Sequence, residues 1–404
     1  MFKVKVIDSK MGSGKSSKII DMMNKGGENE KYIYITPYLS EVQRIKEECS
    51  NRCFTEPLNK GKGKLDNLHK LILAGRNIAS THSLFRLTNE ITIELLKANN
   101  YILVLDEVLD IVEQIPTFKN DMDVLLSLDL INIDKETNVV NWNKDKLDFD
   151  SKYNDIKTMC KSKNLYMFKE TFIIWTFPVS IFQAFDEVYV LTYRFEGQLQ
   201  CSYFKLYNVE YEKKSVRLID GEFKFVDYIS KEDNESMKKN INIIDDEKLN
   251  SIGEKDYSLS KAWFKKAIKN NNLELIKILK NNNYNFFQHK CKGSKTTDNM
   301  FSTFKDFKGK VKGKGFTKGF VSLNVKATNI YADKSNLAYG CNIFLNPIIK
   351  KFFQSHNVVV NEDEYALSTL IQWMYRSRIR NDEPINIYIP SKRMRNLLKD
   401  WLDG

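Results

Sequence analysis

Short apolar runs alternate with longer amphipathic stretches through the first half of the chain. Residues 4–7, 32–36, 78–80, 102–105, 172–176 and 188–191 are apolar and β-prone, so each predicts a strand. Between them, residues 39–49, 65–74 and 83–98 carry the spacing of helices with one apolar face. Strands separated by helices predict a parallel sheet covered by helices. Residues 119–161 are polar and charged, and read as an insertion with small helices of its own. Near Gly197 the pattern breaks, and residues 199–206 are expected to open a more β-rich segment. Residues 231–258 are dense in Asp, Glu, Asn and Lys and read as a linker, followed by two short helices at 260–270 and 273–281. The last third returns to α/β character, with strands expected near 319–323 and 385–389 and helices at 338–344 and 365–375. The expected organisation is two α/β lobes, 1–200 and 201–404, the second with an inserted linker and helical segment near 231–300.

At 404 residues, 42% hydrophobic and 28% charged, the chain has the composition of a globular protein of two or three domains. No apolar run spans a bilayer and the first strand begins at once, so the expected location is the cytosol, with no membrane partner. The net charge of +11 points to a polyanion such as nucleic acid, or else to a Lys/Asn/Ile-rich coding bias. Six scattered cysteines complete no zinc set and read as reduced thiols.

Ser9-Lys10-Met11-Gly12-Ser13-Gly14-Lys15-Ser16 follows the first strand and opens the first helix, which is the context of a phosphate-binding loop. Gly12, Ser13 and Gly14 allow backbone amides to face phosphate oxygens. Lys15 offers charge to the β- and γ-phosphates of ATP, and Ser16 a hydroxyl to Mg²⁺. Ser9 stands where the full pattern has glycine. Ninety-one residues after Lys15, the run 101–105 ends in Asp106-Glu107. That places two carboxylates at a strand's C-terminal tip, where open parallel sheets bind ligands. Asp106 is the expected Mg²⁺ ligand and Glu107 the residue that orients or deprotonates water.

Gln372, Arg376, Arg378 and Arg380 form a third cluster. If the helix persists, Gln372, Arg376 and Arg380 share a face and can stabilise charge on a γ-phosphoryl group; a basic face toward backbone or solvent is the other reading. Residues 305–318 pack six lysines with phenylalanines and glycines, either a grip on phosphates and bases through Lys308, Lys310, Lys312 and Lys314 or a solvated loop.

Loop, Asp-Glu pair and terminal Gln/Arg cluster, in this order, resemble a superfamily 2 helicase, particularly the small bacteriophage helicases linked to DNA replication. The resemblance implies two RecA-like parallel-sheet lobes with a nucleotide cleft between them. It also implies hydrolysis of ATP with Mg²⁺, and translocation on nucleic acid, most readily single-stranded or branched DNA, with a replication protein as a possible partner. Thr36-Pro37 and Thr81 resemble strand-contacting motifs, Trp175-Thr176-Phe177-Pro178 resembles the motif whose hydroxyl couples hydrolysis to lobe movement, and Thr328 falls in a second-lobe region facing the strand. The family spaces its last two arginines by three rather than four, so Arg378 and Arg380 compete for the finger role. Two other classes stay open: a nucleotide-switched replication initiator, and a packaging or nuclease-associated translocase that does not separate strands.

Overall fold

The parallel sheet forms around β1 (Lys3–Asp8), which carries the phosphate-loop sequence at its end. In the computed structural model, which describes residues 3–116, 120–160, 163–230, 234–324 and 330–404, contacts divide the chain into two units. The first comprises residues 1–9, 13–228 and 346–360. The second comprises residues 10–12, 229–345 and 361–404. The first unit holds β1, α1 (Lys15–Lys25), β2 (Lys31–Thr36), α2 (Leu39–Glu48), β3 (Ile78–Thr81) and β4 (Tyr101–Asp106). Its sheet has seven strands. From one edge the order is Glu222–Asp227, Tyr211–Ile219, β1, Glu187–Thr192, β4, β2 and β3. All neighbours run parallel except the first pair, an antiparallel hairpin. The strands read as unbroken apolar runs because helices cover both faces: Val6, Tyr34, Leu103, Val104 and Val190 are fully buried.

Two expectations for this half change. The run Phe172–Thr176 is a strand, but it lies in a separate three-stranded antiparallel sheet with Val112–Ile115 and Leu165–Phe168. A short apolar run looks the same in either setting, because only its pairing partners differ. The two-stranded ribbon Ile131–Ile133 with Val140–Trp142 and the helices Asp121–Ser127 and Asn154–Cys160 lie within the expected insertion at 119–161, and the three-stranded sheet flanks it on both sides in the chain. The helix Pro347–Ser355 belongs to the same unit, with Phe352 packed against Tyr166 and Phe168. Second, the β-rich segment expected to open at 199–206 opens with a buried helix, Leu199–Leu206, and its strands Tyr211–Ile219 and Glu222–Asp227 follow; contacts carry the first unit on to Tyr228. The hairpin accounts for the extension: its strand Tyr211–Ile219 pairs with β1 from Val4 to Ile7.

The second unit is built on four parallel strands in the order Ile241–Ile243, Ile385–Tyr388, Asn336–Tyr339 and Asn299–Ser302. Residues 338–344, expected to be helical, begin with the end of the central strand Asn336–Tyr339. Pairing on both sides outweighs the local preference there. The expected strand at 319–323 reduces to a single bridge between Phe320 and Phe301. The helices Lys261–Lys269, Leu273–Asn285 and Glu362–Met374 lie where periodicity placed them. The described part of the expected linker, from residue 234, is structured, with Glu235–Asn240, Ile241–Ile243 and Glu247–Asn250, and it buries Met237, Ile241 and Leu249. Among the described residues no helix is long and apolar enough to cross a membrane. All six cysteines are free thiols.

Candidate nucleotide site

The loop after β1 turns on two glycines in the left-handed region, Gly12 at φ 81° and Gly14 at φ 85°. That conformation is costly for residues with a Cβ. Gly14 is constrained twice, since a Cβ there would fall 2.2 Å from the Phe223 ring of the hairpin. No side chain caps the N-terminus of α1, so the amides of its first turn point outward as an anion site. Lys15 donates to the Ser9 carbonyl at 2.5 Å, holding its ammonium over the loop. The Ser13 hydroxyl is buried and makes no hydrogen bond among the described residues.

Ser9 has a structural role that explains its departure from the full pattern. Its hydroxyl accepts the Val216 N–H at 2.8 Å, and the Ser215 hydroxyl donates to the Asp8 carbonyl at 2.9 Å. On the other side of β1 the Asp8 carboxylate accepts the Arg194 and Phe195 amides at 2.7 and 3.0 Å. The stem of the loop is therefore tied to both neighbouring strands.

Sheet register aligns the second motif with the first. Asp8 pairs with Thr192, Leu191 pairs with Asp106, and Ile35 pairs with Leu105. The loop stem, Thr192, Asp106 and Thr36 thus form one row along the C-terminal edge of the sheet. Asp106 is buried, and burial, reinforced by the Glu107 and Glu41 charges, pushes its carboxyl up to about 7 despite Arg44 and the Tyr34 hydroxyl. Thr36 donates to its Oδ2 at 3.4 Å, and the ring nitrogen Nε2 of His82 lies 3.1 Å from its carbonyl oxygen. Glu107 follows at φ 66°, an uncommon conformation for a residue with a side chain, held by its N–H to the Leu191 carbonyl at 3.0 Å. A buried carboxylate near neutrality, an orphaned hydroxyl and an inward-facing lysine are what a site for phosphate and Mg²⁺ requires. These residues fit that pair of ligands.

In the second unit the helix carrying Gln372 ends at Met374, so the arginines do not share a continuous helical face. The chain turns and enters a short 3-10 segment, Arg378–Asn381. Arg376 and Arg380 still come together: burial and then the Arg376 charge hold the Arg380 guanidinium below its usual range. Arg378 points away, its Nε donating to the Pro384 carbonyl at 2.5 Å. Gln372 bonds to Ser368 within its own helix at 3.2 Å.

Comparison with known proteins supplies the family. The model for the YonV middle domain matches residues 112–175, and that for the YonV C-terminal Rossmann-like domain matches residues 235–402. A curated relative, the SPbeta prophage-derived uncharacterized protein YonV of Bacillus subtilis (strain 168), is 42% identical over 417 residues, covering 100% of both chains. The chain belongs to the YonV family. A solved structure, S. tokodaii Xpd4, aligns with a TM-score of 0.50 and 11% identity over 98% of this chain and 94% of that one. That likeness shows the fold: an α/β, RecA-like class with parallel-sheet lobes.

The YonV middle domain coincides with the inserted antiparallel sheet, which relocates Thr176. Its hydroxyl lies 2.7 Å from the Tyr207 hydroxyl at the end of an antiparallel strand, outside the row along the main sheet. The strand between β1 and β4 is Glu187–Thr192, so the hydroxyl that stands in the row between the two motifs is that of Thr192, not Thr176. Thr36 is fully buried, and its side chain supports Asp106 instead of facing a nucleic-acid strand. Pro37 and Thr81 are half-buried at the same edge. Thr328 lies outside the described residues. Lys308, Lys310, Lys312 and Lys314 are exposed, but the rings among them, Phe307 and Phe316, are buried in the core and stack on no base. Sequence reading missed His82, Tyr34 and Gln200, whose Oε1 accepts the Leu109 N–H at 3.0 Å just beyond the Asp-Glu pair. His82 had a signal, its place directly after Thr81. Gln200 had none.

Proposed function

We propose that this YonV-family protein is an ATP-driven nucleic-acid motor, a helicase or translocase working on phage DNA. The observation that carries the reading is the single sheet edge shared by the phosphate loop and Asp106. In this reading the loop amides and Lys15 hold the β- and γ-phosphates. Ser16 and Asp106 would hold Mg²⁺, which supplies positive charge against the phosphate oxygens when bound. Glu107, fixed by its backbone at the strand tip, orients the attacking water and takes its proton. Arg376 and Arg380 supply charge to the γ-phosphoryl group as it departs, a role Arg378 cannot share while it is bonded to Pro384. Thr192 replaces Thr176 as the hydroxyl through which loss of phosphate is sensed. Pro37, Thr81 and the lysines of 308–314 contact the strand, with single-stranded or branched DNA as the preferred form.

The test is ATP hydrolysis with and without single-stranded DNA, with Lys15→Ala and Glu107→Gln as controls. A rate stimulated at least tenfold by DNA and lost in both variants is the expected outcome. A low rate indifferent to DNA would remove the motor and leave a nucleotide-switched binding protein.

A further inference from the structure

The net charge of +11 is concentrated in one place. Residues 261–318 hold fifteen lysines against three carboxylates, a balance of +12, so the remaining 346 residues are close to neutral. A coding bias toward lysine would spread charge along the whole chain, and it does not. All fifteen lysine side chains are exposed. Among the described residues only Lys261, Lys277 and Lys290 make ion pairs, with Asp306, Glu274 and Asp246.

The elements that carry this charge are neighbours. The start of the Lys261–Lys269 helix is tied to the Lys305–Phe307 turn by the Lys261–Asp306 pair at 3.3 Å. The Lys280 side chain, on the Leu273–Asn285 helix, lies 3.5 Å from where a Cβ on Gly313 would stand. Beneath them Phe264, Leu279, Phe286, Phe287, Phe307 and Phe316 form one core. Like charges at this density repel, and solvation alone gives no reason to gather them on one subdomain.

We propose that the two helices Lys261–Lys269 and Leu273–Asn285, with the lysine loop beside them, are the principal phosphate-backbone grip of this protein. The grip extends well beyond Lys308–Lys314 and takes nucleic acid without regard to base. Phe307 and Phe316 point inward, so the loop has no ring to stack on bases. Affinity comes from ammonium groups replacing the counterions of the backbone, for single strands and duplex alike. The proposal rests on the nucleic-acid half of the proposed function and is independent of ATP.

The experiment measures binding of labelled single-stranded and duplex DNA by anisotropy between 50 and 300 mM KCl, without nucleotide. It compares wild type with the triple variant Lys265→Gln/Lys269→Gln/Lys280→Gln. The control is Lys135→Gln/Lys144→Gln/Lys146→Gln, which removes the same charge from exposed lysines of the inserted domain. All six positions are exposed, and matching circular dichroism and melting curves verify folding. The expected result is a salt slope reduced by roughly 2–3 on duplex, and roughly thirty- to a hundredfold weaker binding at 0.15 M salt, in the first triple only. Equal losses in both triples would mean diffuse charge and overturn the proposal, as would an unchanged slope in the first. Sedimentation with phosphatidylserine vesicles is run in parallel. A first triple that loses vesicle binding but keeps DNA binding would reassign the surface to anionic membranes. Wild type that binds no DNA in any salt would instead defeat the nucleic-acid reading of the whole protein.

Discussion

Replacing Asp106 with asparagine should stabilise the nucleotide-free protein at alkaline pH while abolishing hydrolysis. Burial raises the Asp106 carboxyl to about 7 in the folded state, whereas the unfolded chain titrates near 3.8. Between these values the folded protein binds the extra proton, so stability falls as pH rises, and the loss levels off above about pH 8. At 1.36 kcal/mol per unit, the cost of carrying this carboxyl is about 2 kcal/mol at pH 5.5 and about 4 kcal/mol at pH 8. Asparagine keeps an acceptor for the Thr36 hydroxyl and carries no charge to desolvate. The gap in stability between Asp106→Asn and wild type should therefore widen by about 2 kcal/mol from pH 5.5 to pH 8. For a unit of this size that is about 4–8 °C in melting temperature. Scanning fluorimetry without nucleotide at the two pH values is the assay, and adding Mg²⁺ at pH 8 should raise wild type toward the variant. A gap that is constant with pH, or a variant that melts lower at pH 8, would refute the reasoning.

Two further expectations concern the loop and the arginines. Ser9→Gly, which restores the residue of the full motif, should destabilise the first unit by about 1–3 kcal/mol because the buried Val216 amide loses its acceptor. A variant as stable as wild type in urea titration would show that the tie is dispensable. Arg380→Ala should lower the hydrolysis rate about a thousandfold or more with nucleotide affinity nearly unchanged. Arg378→Ala should keep most of the rate and cost no more than about 0.5 kcal/mol of stability, since the exposed Pro384 carbonyl it leaves takes water instead. The opposite pattern would exchange their roles.

The parts legible in the sequence are those written contiguously. The glycine loop after β1 needs only its own glycines and the strand and helix on either side, and the Asp-Glu tip needs only the apolar run before it. What depends on distant pairing was not legible. Phe172–Thr176 has the composition of a main-sheet strand, and only its partners, Val112–Ile115 and Leu165–Phe168, place it elsewhere. Thr36 reads as a surface threonine until register brings Asp106 beside it. The rings at Phe307 and Phe316 alternate with lysines in a way that suits stacking on bases. The core they fill is assembled from helices some 20–50 residues earlier in the chain. Asn336–Tyr339 becomes a strand because Asn299–Ser302 and Ile385–Tyr388 flank it.

The hairpin that braces the phosphate loop is also the last element before the chain passes at Tyr228 into the second unit. Its residues touch the loop at Ser9 through Val216 and at Gly14 through Phe223. Loop and hairpin are therefore one block within the first unit, and what moves the ribbon moves Ser9 and Gly14 together. A single residue inserted into the Asp220-Gly221 turn would slip the register of Glu222–Asp227 and turn Phe223 away from Gly14, so the loop would lose its support with none of its own residues replaced.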